Sequence, residues 1–218
     1  MEVKLKNKPL PQWRPELCPN YSEFLCARSA EQLTTLVNGS KENKSKFLSD
    51  PREVHLFLYQ GLTPPDYAEY AGTYRGTVGT ALENRSVGAA QVGARGGPAE
   101  FIAPDAVLDR LDDYKGAVKQ LVAQAGNCTS GQQFSAVLKL FYAFGLIHPF
   151  LDGNGHIQRL SFAVAVSLCD KIALRDTWTI HPRPYDIEIA EAFNLKGDTQ
   201  CRMQALGVVL RNYVDLDS

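Results

Sequence analysis

The stretch Ile147-His148-Pro149-Phe150-Leu151-Asp152-Gly153-Asn154-Gly155-His156-Ile157-Gln158-Arg159 gathers histidine, carboxylate, amide and arginine side chains into one polar turn between two apolar segments. Before it, Phe134, Val137, Leu138, Phe141, Tyr142 and Phe144 recur at three- and four-residue steps, the spacing of a helix that faces a core. After it, Leu160 to Cys169 is apolar on nearly every side, which predicts a helix buried all round. Two central helices joined by a chemically loaded loop are therefore the organising feature of the chain, and loops held by a rigid scaffold are where sites tend to be built.

Gly153 and Gly155 bracket Asn154 where the second helix must begin, so the backbone can curve and aim several N–H groups into one concavity. A helix N-terminus of this kind, with orphan donors and the positive end of the dipole, suits phosphate oxygens. Asp152 precedes the cradle, and a Mg²⁺ ion held mainly by phosphates needs only one or two carboxylates. Positions 155, 156 and 159 share one side of the first turns, which lets Arg159 lean over the concavity as a clamp while Gln158 points elsewhere. His148 stands on the opposite rim, and an unperturbed imidazole pKa of about 6.5 suits a general base near neutrality. Phe150 reads as the structural plug that fixes the loop. A calcium-loop reading fails because Phe150 and Ser161 occupy its first and last ligand positions.

His148 to Arg159 resembles the signature of the Fic family, His-Pro-Phe-x-(Asp/Glu)-Gly-Asn-Gly-Arg-x-x-Arg, and departs from it only at His156. Ala71-Gly72-Thr73-Tyr74-Arg75 and Glu100-Phe101-Ile102-Ala103-Pro104 resemble two further family segments, and the resemblance spans roughly residues 50 to 214. It implies an all-α fold: a helical bundle around the central helix-loop-helix, with a small β-hairpin flap. It also implies a protein adenylyltransferase that moves AMP from Mg·ATP to a Ser, Thr or Tyr hydroxyl of a target protein. Carried over residue by residue, His148 is the base and Asp152 the metal ligand. Gly153, Asn154 and Gly155 form the phosphate cradle, Arg159 clamps the terminal phosphates, and His156 stands where the family has its first arginine. Transfer of a different moiety (UMP, phosphoryl or phosphocholine) and a non-catalytic nucleotide- or partner-binding module are the alternatives, the second resting only on His156.

Bulk properties set mild limits. Lys+Arg of 23 against Asp+Glu of 24 gives a formal charge of -1, with no electrostatic footprint for nucleic acid or membrane. Cys18, Cys26, Cys128, Cys169 and Cys201 show no zinc spacing and read as buried, reduced thiols. No signal-like segment opens the sequence, so the expected compartment is the cytoplasm, and delivery into a host cell finds no export signal to support it. No Gly-x-x-x-x-Gly-Lys-(Ser/Thr) element supports a P-loop reading.

In chain order, Pro9, Pro11, Pro15 and Pro19 predict an extended strap over residues 1–28, followed by a short helix from a Ser29 cap to Val37. These form a segment 1–49 packed on a catalytic domain at 50–218. Asp50-Pro51 signals the next helix start, and His55 inside that helix reads as a partly buried packing residue. The glycine-rich stretch from Arg75 to Phe101 is the least helical, and a hairpin there (about residues 76–102) is the expected flap on which a target segment docks as an added strand. Further helices are expected from Ala103-Pro104-Asp105 to Gly126-Asn127, from about Pro184 to Leu195 and from Asp198 to Val214, with Tyr185 as a core or rim aromatic. The inhibitory motif Ser/Thr-x-x-x-Glu-Gly/Asn, which many family members carry, is absent. Arg159 is therefore expected to be free in the isolated chain, with restraint coming from a separate partner or a weak active site.

Overall fold

Thr129 accepts the Gln132 N–H on its hydroxyl (3.3 Å) while the Gln132 side chain accepts the Thr129 N–H (2.8 Å), a reciprocal cap that starts the first central helix. The computed structural model describes residues 10–88, 101–183 and 185–216. Its helices are α1 (Tyr21–Val37), α2 (Lys41–Ser49), α3 (Arg52–Tyr59), α4 (Val107–Gln124), α5 (Ser130–Ile147), α6 (Asn154–Val166), α7 (Asp186–Phe193) and α8 (Thr199–Arg211). α5 and α6 are the central pair, and every α6 residue except Gly155 is buried, as its unbroken apolar sequence requires. α4 and α8 pack on α5, α1 and α2 pack on α6, and α7 packs on α8. No helix among the described residues is long and apolar enough to cross a membrane.

The fold is mostly helical with a small antiparallel sheet, and that sheet lies away from the expected flap. Strand β1 (Ile172–Leu174) pairs with β2 (Val214–Leu216) in the register Ile172 to Leu216, tying the chain end to the segment after α6. Residues 76–88 instead run as successive turns pinned by the fully buried Leu82, whose carbonyl accepts the Gly76 N–H at 2.9 Å. Gly76 is obligatory there: its φ is +80°, and a Cβ would fall 1.9 Å from the Pro104 carbonyl oxygen. Residues 89–100, the middle of the expected hairpin, lie outside the described residues.

Two other expectations change at the N-terminal side. The first helix starts at Tyr21, eight residues before the expected Ser29 cap, because no proline lies between Pro19 and Pro51 and Asn20 turns the chain in at φ 60°. Ser29 is a small buried residue in mid-helix, on the same face as Leu25. The strap is held by Trp13, whose indole N–H donates to the Leu62 carbonyl at 2.8 Å and whose ring meets His55, Tyr59 and Tyr70. Cys26 and Cys201 are exposed on α1 and α8 rather than buried, since both fall on solvent faces of amphipathic helices.

Arg75 fixes the position of the central loop. Its side chain is fully buried and donates to four carbonyls: His148 (2.9 Å), Ile102 (3.0 Å), Ile147 (3.1 Å) and Arg85 (3.2 Å). Its own N–H donates to the Pro149 carbonyl at 2.8 Å. Burial lowers the guanidinium to about 10, still charged at neutral pH. We expect Arg75→Met to leave these carbonyls without their donor and cost about 3 kcal/mol or more. Arg75→Lys should restore only part, because a point charge cannot fork across four acceptors. Urea unfolding of the three proteins checks this, and a loss under about 1 kcal/mol in the Met variant would contradict it.

Candidate active site

The loop between α5 and α6 is built by three neutral contacts. α5 ends at His148, which takes φ 48° and ψ 59° and so turns Pro149 and Phe150 inward. Phe150 is fully buried and stacks on His55 with ring centroids 3.8 Å apart and planes 4° from parallel. Asn154 closes the turn with its amide: Oδ1 accepts the Phe150 N–H and Nδ2 donates to the Phe150 carbonyl, both at 2.8 Å. Gly153 sits at φ +78°, where a Cβ would press within 2.4 Å of the Tyr59 ring.

His55 is more than packing. The Gly72 N–H donates to its Nδ1 (2.8 Å), so Nε2 carries the proton and donates to the Asp152 carbonyl (2.9 Å). Complete burial pushes its pKa down to about 3, and it stays neutral. The sequence signal was present, as a histidine in an apolar helix, but its partners lie 17 and 97 residues away.

His148, Asp152, Gly153, Asn154, Gly155 and Arg159 all line one open cleft of about 390 Å³. His148 is half-buried and stacks on Phe101 at 3.8 Å. Its Nδ1 faces the Gly145 carbonyl at 3.4 Å, which favours the tautomer with the proton there and the Nε2 lone pair unprotonated. Burial lowers its pKa to about 3, aided slightly by the Arg75 charge, so it is a neutral imidazole well below the expected titration range. Asp152 accepts the Gly153 N–H, and burial raises its carboxyl above the usual range. A hard cation in the cleft would relieve that cost, and a single loop carboxylate beside a helix N-terminus suits Mg²⁺ shared with phosphates.

Two site expectations need correction. His156 does not line the cleft. It is 1% exposed, with Nδ1 against the Tyr59 hydroxyl (2.8 Å) and Nε2 against His181 Nδ1 (3.1 Å), so both ring nitrogens are engaged away from the cradle. Its pKa is driven well down, first by burial and then by the Arg183 charge. A short imidazole at this position packs inward where a longer arginine would have to reach out.

Nor is Arg159 free. It is 2% exposed, donates to the Gly155 carbonyl at 2.8 Å, pairs with Asp186 and lies 5.2 Å over the Tyr185 ring. Burial, then Arg183, lowers its pKa to about 9. Asp186, the first residue of α7, also pairs with Arg183 at 2.9 Å, and both line the cleft. Sequence reasoning missed these two. Asp186 is an acid in a helix's first turn and Arg183 a cation between two prolines, both common surface patterns that carry no local signal of a site. Tyr185 is a packing aromatic, stacked on Trp178 at 4.6 Å.

Burial lowers all four histidines below their ordinary value. The unfolded chain, with imidazoles near 6.5, therefore binds more protons than the native state, and the stability they contribute is present above pH 6.5 and lost as pH falls toward 3. We expect unfolding free energy to drop between pH 7 and 5, by up to about 1.4 kcal/mol per pH unit below pH 6.5 for each of His55 and His148. His55→Phe, though less stable at pH 7, should show a shallower slope. Urea titrations at three pH values check this, and equal slopes would count against a neutral His55.

Against known proteins, no curated protein matches the chain. Among solved structures it resembles the BepC protein, a VirB-translocated effector from Bartonella tribocorum crystallised with bound AMPPNP, at 15% identity and a TM-score of 0.58. That match covers 91% of this chain and 88% of the other, and at this identity it speaks for the fold. The Fic/DOC family model matches residues 49–166, more than half of the 218-residue sequence and the part that builds the loop, the cradle and α6. The chain belongs to the Fic/DOC family.

Proposed function

We propose that this protein transfers AMP from ATP to a hydroxyl group of a target protein. The observation that carries the reading is the placement of an unprotonated imidazole, His148, and an anion-binding helix N-terminus, with Arg159, on the walls of one cleft. The structural relative holding AMPPNP, an ATP analogue, supports a nucleotide as the bound group.

In the reaction, the hydroxyl oxygen attacks the α-phosphorus and forms the new O–P bond while the bond to the β-phosphate oxygen breaks and pyrophosphate departs. His148 Nε2 takes the hydroxyl proton. The backbone from Gly153 to Gly155 and the positive end of α6 hold phosphate oxygens, and Arg159 neutralises charge on the leaving group after exchanging Asp186 for it. Mg²⁺ held at Asp152 would supply charge neutralisation on the same phosphates. The described part of the expected flap, residues 76–88, borders the cleft at Val87 and Gly88 and leaves Val78 79% exposed, which supports it as the face that receives the target.

Incubating the protein with labelled ATP, UTP and GTP shows which label becomes covalently attached to a protein, and label from UTP alone would redirect the reading to another moiety. His148→Ala should abolish labelling, by about two decades or more, while leaving nucleotide affinity largely intact. Unchanged turnover would end the mechanism. Asp152→Ala should instead flatten the magnesium dependence of ATP affinity, and an undiminished magnesium response would remove Asp152 from the metal site.

A further inference from the structure

His156 turns away from the cleft, yet the cradle does not lack a second guanidinium. A Cβ placed on Gly155 would stand 2.6 Å from Arg183 Nη1 and 3.0 Å from Arg159 Nη1, so both arginine heads lie over the first turn of α6. They come from different segments: Arg159 from α6 itself, Arg183 from the stretch that leads into α7. Arg159 is sealed in, and its Nε has no hydrogen-bond partner among the described residues. The Arg183 side chain keeps 34% of its surface, and that of Asp186 keeps 38%, so this edge faces incoming ligand. Two positive heads and a helix N-terminus meet one carboxylate. Among the described residues the two heads are ion-paired to Asp186 alone, with Asp152 the other carboxylate on the cleft, whereas a polyphosphate brings several negative oxygens.

We propose that Arg183, delivered from outside the signature loop, is the second phosphate-binding arginine of this site, and that with Arg159 it binds the terminal phosphates of a nucleoside triphosphate in exchange for Asp186. The assignment rests on the nucleotide reading above and deepens it. It makes Arg183 a determinant of ATP over AMP, since AMP has no phosphate beyond the α position. The Arg159–Asp186–Arg183 bridge then holds both arginines in place before substrate arrives.

Calorimetric titration of the full chain with ATP, AMP and inorganic tripolyphosphate tests this, using wild type, Arg183→Gln, Arg183→Lys and Asp186→Asn. In Arg183→Gln, ATP and tripolyphosphate affinity should fall about ten- to hundred-fold and AMP affinity should stay within about twofold. Arg183→Lys should recover part of the loss, and Asp186→Asn should tighten ATP binding. Because Arg183 sits on a partly exposed segment, its variants should melt within a few degrees of wild type, which a thermal scan checks. Equal ATP affinity in wild type and Arg183→Gln overturns the assignment, as does an equal loss for ATP and AMP, which would mark the ion bridge as merely structural. If His148→Ala still abolishes AMP transfer in that case, the enzymatic reading stands alone. Wild type that binds ATP through Arg183 without transferring AMP supports the assignment and sinks the transfer reading, and wild type that binds neither ATP nor tripolyphosphate overturns both.

Discussion

A single buried cation sets the geometry on which the site depends. Among the described residues Arg75 hydrogen-bonds to no carboxylate; its donors end on the carbonyls of Arg85, Ile102, Ile147 and His148. Two of those carbonyls close α5, where the negative end of the helix dipole lies, so a cation is favourable there even in a desolvated setting. The others come from the two sides of the glycine-rich segment. One guanidinium thus joins the end of α5, the loop and both flanks of residues 86–101, a role that requires a planar fork with five donors. With Pro149 supplying no N–H and His148 in a left-handed conformation, the chain here has few ways to hold itself, and Arg75 supplies what the local backbone lacks.

From that fixed point the site is assembled in two layers of different chemistry. The inner layer is neutral. Phe150 is stacked on His55, Asn154 closes the turn with two bonds to Phe150, and His55 is locked in one tautomer between Gly72 and Asp152. Keeping these imidazoles uncharged avoids the cost of burying ions and gives a loop whose shape does not depend on titration near neutral pH. The outer layer is ionic: Arg159 lies buried in the cleft wall, and the partly exposed Arg183 and Asp186 stand at the edge, where their ion pairs can be exchanged for a ligand. Rigid neutral support beneath an exchangeable charged rim is the arrangement a phosphate site needs, because binding then costs little reorganisation.

The central pair of helices was legible from periodicity alone, since Phe134 to Phe144 and Leu160 to Cys169 could be satisfied only by burial against other elements. The convergence of His148, Asp152, the Gly-Asn-Gly turn and Arg159 on one cleft was legible too, because these residues are adjacent in sequence and a helix N-terminus imposes their relative placement. Helix starts were less so. Ser29 has the local pattern of a cap, but a hydroxyl three residues before glutamine reads the same in mid-helix when the chain upstream can also coil. The small sheet escaped notice because Ile172–Leu174 and Val214–Leu216 are three residues each, too short for a period to show.

The sequence by itself determined the helical core and the chemistry of the loop, because both are written in contiguous residues whose spacing fixes which side chains share a face. Tertiary structure alone decided what surrounds that loop. His156 turns inward to Tyr59 and His181, 97 and 25 residues away, His55 reaches Asp152 across 97 residues, and Arg159 meets Asp186 across 27. Each of these contacts is short in space and distant along the chain, and no local propensity specifies it. The physical reason is that burial selects partners by satisfying polar groups wherever packing brings them together, so the charge state and occupancy of a site are properties of the folded neighbourhood and not of the motif that seeds it.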